Sequence, residues 1–279
     1  MTTKIAAIST GIYQINTWIV YVTEKKVLVI DPATSELTGD SLKIVDFLKK
    51  NNLEPVAFIL THGHFDHIAG TLELKKTYPN IPLICHKEDA FMVGSNAVTT
   101  QGPVLIDMEM EYIIQMLENL PDPDILVSEE TTLDKLIKTE NHELKNQLST
   151  WKILHTPGHT KGCICLYNAN EKLLFSGDTI FYHSYGRTDL PGGNQAEMIK
   201  TLNRIYTPLP KDTRIFPGHD YSDFILEENI KYSVHSVWKI LNKIFESKYG
   251  KINFIENRKN IFSRNFKNST TRLRQRPWI

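Results

Sequence analysis

The sequence predicts an α/β protein with two β-sheets flanked by helices, followed by a helical C-terminal appendage. Three observations lead there. Short β-branched and aromatic runs recur from the N-terminus to Phe216. Segments of helical period alternate with them, but groups of adjacent strands intervene, which favours two sheets over one all-parallel sheet. After Tyr221 the chain becomes helix-like and rich in Lys and Asn.

Taken in order, residues 12–22 (IYQINTWIVYV) read as a strand, and Val27–Ile30 is a short apolar run ending at Asp31. Leu42, Ile44, Val45, Phe47 and Leu48 recur at helical spacing, with Asp40 or Ser41 as the expected cap. Val56–Leu60 is a buried-type strand that runs straight into Thr61-His62, and residues 82–85 are another. A helix is expected over Met108–Leu117, broken by Pro-Asp-Pro at 121–123. Strands resume at Trp151–Leu154, Cys163–Tyr167 and Leu173–Phe175. A helix over Ala196–Tyr206 and a short strand, Arg214–Phe216, complete the pattern.

The chain has 279 residues, 41% hydrophobic and 23% charged, enough for a sizeable core and too apolar for bulk disorder. Its formal net charge of zero gives no overall pull toward nucleic acid or acidic membranes. The start, MTTKIAAIST, lacks a signal-peptide pattern, and no apolar run approaches the roughly 20 residues of a membrane span. Cys85, Cys163 and Cys165 are read as free thiols, the latter two as small core residues, which suits a cytoplasmic location. One asymmetry stands out. From Arg258 onward there are seven Lys and Arg (Arg258, Lys259, Arg264, Lys267, Arg272, Arg274, Arg276) and no acidic residue.

The chemistry is concentrated in four loops. His62, His64, Asp66 and His67 lie within THGHFDH, directly after a strand, where a rigid sheet edge fixes the loop. The imidazoles of His62 and His64, separated by Gly63, are placed to converge on one ion, with Asp66 and His67 directed to a second. His159 in HTPGHT, Asp178 in FSGDT and His219 in FPGHD each follow a strand and a glycine (Gly158, Gly177, Gly218). A solitary loop histidine is usually a surface residue, but His-x-His-x-Asp-His with three further matched loops rarely arises without metal. His86, His142, His155, His183 and His235 have no such setting and are read as structural or solvent-facing.

THGHFDH, HTPGHT, FSGDT and FPGHD in this order resemble the metallo-β-lactamase superfamily. HKEDA (86–90) and GRTDLPGG (186–193) narrow the likeness to its type II glyoxalase-like branch. The resemblance covers roughly residues 10–222 and implies an αββα sandwich with metals at one edge. It implies a metal-fold domain over 1–222, with an insertion near 91–135, and a basic helical extension over 223–279. His62, His64 and His159 would hold the first of two divalent ions, Asp66, His67 and His219 the second, and Asp178 would bridge them. Zinc is the expected metal, and an all-N/O donor set also accepts iron or manganese. A metal-bridging hydroxide would then be the nucleophile, with Asp66 and Asp178 as the catalytic carboxylates.

The expected substrate is a small thioester, such as a hydroxyacyl-glutathione or acyl-CoA. Tyr185 and Arg187 are the candidate substrate contacts, although Arg187 reads rather better as a loop brace paired with an aspartate. Asp220-Tyr221 after His219 resembles the persulfide dioxygenases, so an iron-dependent persulfide dioxygenase is the alternative. A nucleic-acid- or partner-binding role through the basic tail is a further alternative, disfavoured by the complete ligand set. β-Lactam hydrolysis is disfavoured by the glyoxalase-like segments. A homodimer through the insertion or the extension completes the expectations.

Overall fold

The computed structural model describes residues 2–220 and 223–232. Strands β1 (Ile5–Thr10), β2 (Ile15–Tyr21) and β3 (Lys26–Ile30) form an antiparallel meander. Helix α1 (Lys43–Lys50) crosses to β4 (Glu54–Ile59). After the short helices α2 (Phe65–Ile68) and α3 (Thr71–Thr77) come β5 (Leu83–His86), helix α4 (Ala97–Asp107) and β6 (Ile125–Val127). β3 to β6 are parallel, giving a six-stranded sheet in sequence order. The second sheet is built from β7 (Thr131–Thr132), β8 (Trp151–His155), β9 (Ile164–Asn168), β10 (Leu173–Gly177), β11 (Arg214–Pro217) and β12 (Phe224–Ile225). Helices α5 (Leu133–Leu136) and α6 (His142–Ser149) precede β8, α7 (Gln195–Tyr206) lies between β10 and β11, and α8 (Leu226–Tyr232) follows β12.

Side-chain alternation explains the layering. In β3, Val27 and Val29 point to one face, packing with Ile44, Val45 and Leu48 of α1, while Leu28 and Ile30 point to the other. Leu28, Ile30, Ala57 and Ile59 meet Ile153, Leu166, Phe175 and Phe216 of the second sheet. On that sheet's far face, Cys165, Leu174 and Ile215 pack on Met198, Leu202 and Ile205 of α7. Three apolar cores therefore separate four layers, the αββα sandwich that the sequence resemblance implied. Strands covered on both faces read as unbroken apolar runs, which is why they were legible.

Several local expectations are corrected. Residues 12–22 do not form one strand: Gly11 (φ 71) and Gln14 (φ 53) make a turn closed by the Gln14 N–H donating to the Gly11 carbonyl at 3.2 Å, and β1 precedes it. Asp40 does not cap α1, which begins behind Leu42 without a side-chain cap. Its carboxylate accepts instead from the Gly11 and Ser35 N–H groups, both at 2.8 Å. The helix expected over Met108–Leu117 is a 3-10 helix over Glu111–Leu117, preceded by α4, which carries Pro103 in its interior. The stretch near 91–135 also supplies the sheet-edge strands β6 and β7. Residues just after 222 continue the second sheet as β12, whereas the basic tail from Arg258 and His235 lie outside the described residues. Among the described residues no helix is long and apolar enough to cross a membrane. The three cysteines are free and buried.

Candidate metal centre

The candidate ligands follow the ends of β4, β8, β10 and β11, and they meet. His62, His64 and His159 form one group, Asp66, His67 and His219 another, and His62, His67 and Asp178 link the two. Within each group the donor atoms lie within 4.8 Å of one another. All seven sequence-predicted ligands are thus gathered in one cluster.

The local chain explains the convergence. Gly218 precedes His219 because a Cβ there would sit 2.5 Å from Asp178 Oδ1 and 2.7 Å from His67 Cε1. Gly177 has φ 48, which turns the end of β10 so that Asp178 enters the cluster. Asp178 Oδ1 lies 3.3 Å from His67 Nε2, while Oδ2 lies 3.3 Å from His219 Nε2 and 3.6 Å from His159 Nε2. Asp66 Oδ2 is 3.4 Å from His219 Nε2. The Nδ1 of His64 faces the Nε2 of His159 at 2.8 Å.

Outer partners choose which nitrogen each ring presents. His159 Nδ1 is 2.7 Å from the Arg187 carbonyl, and His67 Nδ1 is 3.0 Å from Asp31 Oδ2, so both direct Nε2 inward. Asp31 also accepts from the Thr61 N–H and hydroxyl, each at 2.7 Å. Asp89 accepts from the Gly63 N–H (3.0 Å), the Gly162 N–H (2.7 Å) and the Thr160 hydroxyl (2.6 Å), joining the THGHFDH loop to the HTPGHT loop. Sequence reasoning gave neither aspartate a role. The available signal for Asp31 was its place at the end of β3, beside the strand that leads to His62.

Electrostatics split the histidines. Burial pushes His62 well below the ordinary imidazole value and His64 down to about 3, so both are neutral, with lone pairs free to bind a cation. Burial also works against a charge on His67 and His219. There the carboxylates outweigh it, Asp178 foremost: His67 is raised well above its usual value and His219 to about 10. Asp66 and Asp178 are held below the usual carboxylate range, because the His67 and His219 charges overcome the burial penalty. Without metal, then, two imidazolium protons compensate two carboxylates.

The donor set fits a binuclear metal centre. His62 Nε2, His67 Nε2 and Asp178 Oδ1 are buried without a hydrogen-bond partner. Such orphaned atoms carry a desolvation cost unless something binds them, and here they converge on one point.

The candidate substrate contacts are partly engaged elsewhere. Arg187 makes a two-pronged contact with Asp189 (2.8 and 2.9 Å), the bracing arrangement that the sequence favoured. Tyr185 accepts from Gln195 Nε2 at 2.9 Å. His86 stacks on His155 at 4.0 Å, and the exposed His183 stacks on Tyr182 at 3.8 Å, both outside the three donor groups.

Comparisons with known proteins place the chain within one family and fold. The family model described as "Metallo-beta-lactamase superfamily" matches residues 10–219. An uncharacterized protein of Aquifex aeolicus is 32% identical over 192 residues, covering 69% of this chain and 77% of that one. The hydroxyacylglutathione hydrolase GloC of Haemophilus influenzae is 27% identical over 207 residues, covering 74% and 86%. Among solved structures, the BLEG-1 B3 metallo-beta-lactamase superposes with a TM-score of 0.65 at 26% identity, covering 83% of this chain and 99% of that one.

Proposed function

This chain belongs to the metallo-beta-lactamase superfamily, and from that premise we propose that it is a binuclear metal-dependent hydrolase of a small thioester such as a hydroxyacyl-glutathione or acyl-CoA. The observation that carries the reading is the pair of donor triads linked by Asp178. In this reading His62, His64 and His159 would hold one ion and Asp66, His67 and His219 the other, with Asp178 placed between the two groups. Zinc is the proposed metal, with iron and manganese acceptable to the same donors. The likeness to a hydroxyacylglutathione hydrolase over 86% of that protein supports the choice of substrate.

Bound divalent ions would supply hydroxide at neutral pH and positive charge where an acyl carbonyl becomes an oxyanion. The chain's own groups do the rest. His62 and His64, neutral through burial, offer lone pairs without first losing a proton. Asp66, whose Oδ2 lies 3.4 Å from His219 Nε2, would orient the attacking water by accepting its hydrogen bond. Asp31 and the Arg187 carbonyl keep the His67 and His159 rings from turning. Cysteine nucleophiles are excluded by burial, which pushes Cys85 up to about 12, Cys165 to about 11 and Cys163 well above its ordinary value. The same buried free thiols suit the proposed cytoplasmic location. The homodimer remains part of the proposal, to be checked by light scattering.

Metal analysis of protein purified without added metal, joined to a substrate panel, tests the reading. About two ions per chain and hydrolysis of S-lactoylglutathione or an acyl-CoA, with nitrocefin untouched, are expected. A protein with one iron, inert to thioesters and consuming oxygen with glutathione persulfide, would be a dioxygenase instead.

A further inference from the structure

Gln101 lies inside α4, in the stretch near 91–135 that the metal chemistry does not otherwise use, and only 7% of its surface is exposed. A side-chain amide so enclosed must have partners, and each of those found is a backbone group. Its Nε2 donates to the Gly63 carbonyl at 2.9 Å and to the Met92 carbonyl at 2.8 Å. Its Oε1 accepts from the Phe65 N–H at 2.9 Å.

Gly63 and Phe65 are the two neighbours of His64. The peptide groups on both sides of that histidine therefore hang on one side chain. His64 is extended (φ −67, ψ 147) where it precedes α2, and its own side chain makes no capping bond. Asp89 accepts from the Gly63 N–H at 3.0 Å, and a Gly63 Cβ would fall 2.5 Å from Met92 Cγ. The ring of His64 then reaches His159 at 2.8 Å. Loosening the backbone at 63 or 65 would swing this ring, because nothing on its own side chain anchors it away from the cluster.

We propose that Gln101 is a positioning residue for the metal centre, fixing the His64 ring toward the first ion by bonding the peptides on either side of it. The inference rests on the metal-binding reading above. The chemistry required is particular: one acceptor and two donors on a side chain long enough to span from α4 to the loop. Glutamate keeps the acceptor but sets an oxygen against two carbonyl oxygens. Methionine keeps the length and loses every bond.

The experiment compares zinc affinity, by competition with a chromogenic chelator, and metal-free melting temperature in the wild type, Gln101→Met, Gln101→Glu and Leu105→Ala. Leu105 is buried on the same helix and takes part in none of these hydrogen bonds, so it reports on a merely structural role of α4. Removing partners that orient metal ligands typically weakens binding about 10–100-fold. That loss is expected in Gln101→Met and Gln101→Glu, whereas Leu105→Ala should melt earlier with near-wild-type zinc affinity. Wild-type affinity in both Gln101 variants, or an equal loss in Leu105→Ala, overturns the inference and leaves the metal centre standing. A wild-type chain that binds no zinc, iron or manganese removes the metal centre itself, and the positioning role with it.

Discussion

Asp31 shows how much of this site depends on a residue that is not a ligand. Its two carboxylate oxygens receive three donors: the Thr61 N–H, the Thr61 hydroxyl and His67 Nδ1. A carboxylate is acceptor-only and can satisfy all three, whereas an amide of the same shape brings donors of its own. Asp31→Asn would set an N–H₂ against groups that also donate, and His67 would have to turn or change tautomer. We predict that Asp31→Asn retains its fold and weakens metal retention about 10–100-fold, read by metal content after dialysis against a chelator. Full retention in the variant would mean that His67 is oriented by its packing alone.

At the scale of elements, the turn after β10 and the end of β11 support each other. Phe181 lies edge-on to His219, with ring centroids 5.7 Å apart. The turn carrying it is held by Asp220 Oδ2, which accepts from the Tyr182 N–H at 2.9 Å, and by Asn229 of α8, which donates to the Phe181 carbonyl at 2.6 Å. Asp220 itself has φ 86, a conformation natural to glycine and strained for other residues. In an ordinary loop alanine is at least as stabilising as glycine, because it restricts the unfolded chain. Here the order should invert: Asp220→Ala is expected to be less stable than Asp220→Gly by about 1 kcal/mol, measured by urea denaturation. Equal stabilities would show that the positive φ carries no strain.

Elements also show what could be read in advance. Strands such as Val56–Leu60 and Leu173–Phe175 were legible because burial on both faces makes them apolar throughout, and the ligands were legible because each lies in a loop just after a strand. The Gly11–Gln14 turn was hidden inside β-branched residues, since Ile12 and Tyr13 favour strands wherever they fall. Helix α4 was hidden by Pro103 and Gly102, and the expected helix was assigned to the more regular segment after it. Gln101 had no local signal of role, and Asp31 had only its place at the end of β3. Their meaning comes from a loop that the fold brings beside them, and no spacing along the chain encodes that.

For the whole molecule, metal and protons compete for the same nitrogens, and this gives stability a different pH dependence with and without metal. In the metal-free protein the folded state raises His219 from 6.5 to about 10 and raises His67 also, through Asp178 and Asp66. A raised pKa means that the folded chain holds those protons more tightly than the unfolded one. The contribution of His219 is full below pH 6.5 and is lost as pH climbs toward about 10, and that of His67 is lost in the same direction. The depressed Asp66 and Asp178 act oppositely, contributing above the ordinary carboxylate value of 3.8 and losing that contribution as pH falls through their lowered values. His62 and His64, pushed below the ordinary 6.5 by burial, oppose the raised pair at acid pH, because the unfolded chain would take up protons there that the folded one refuses. The metal-free protein should therefore be most stable near neutrality and weaken as pH rises above it. Metal binding displaces the imidazolium protons, so affinity rises with pH over the same interval. A ligand present at 100 times its Kd stabilises by about 2.7 kcal/mol, which for a domain of this size is a rise in melting temperature on the order of 5–10 °C. Melting curves from pH 5 to pH 9, with zinc and after chelation, should diverge as pH increases. Parallel curves would show that the protons on His67 and His219 are not those the metal replaces.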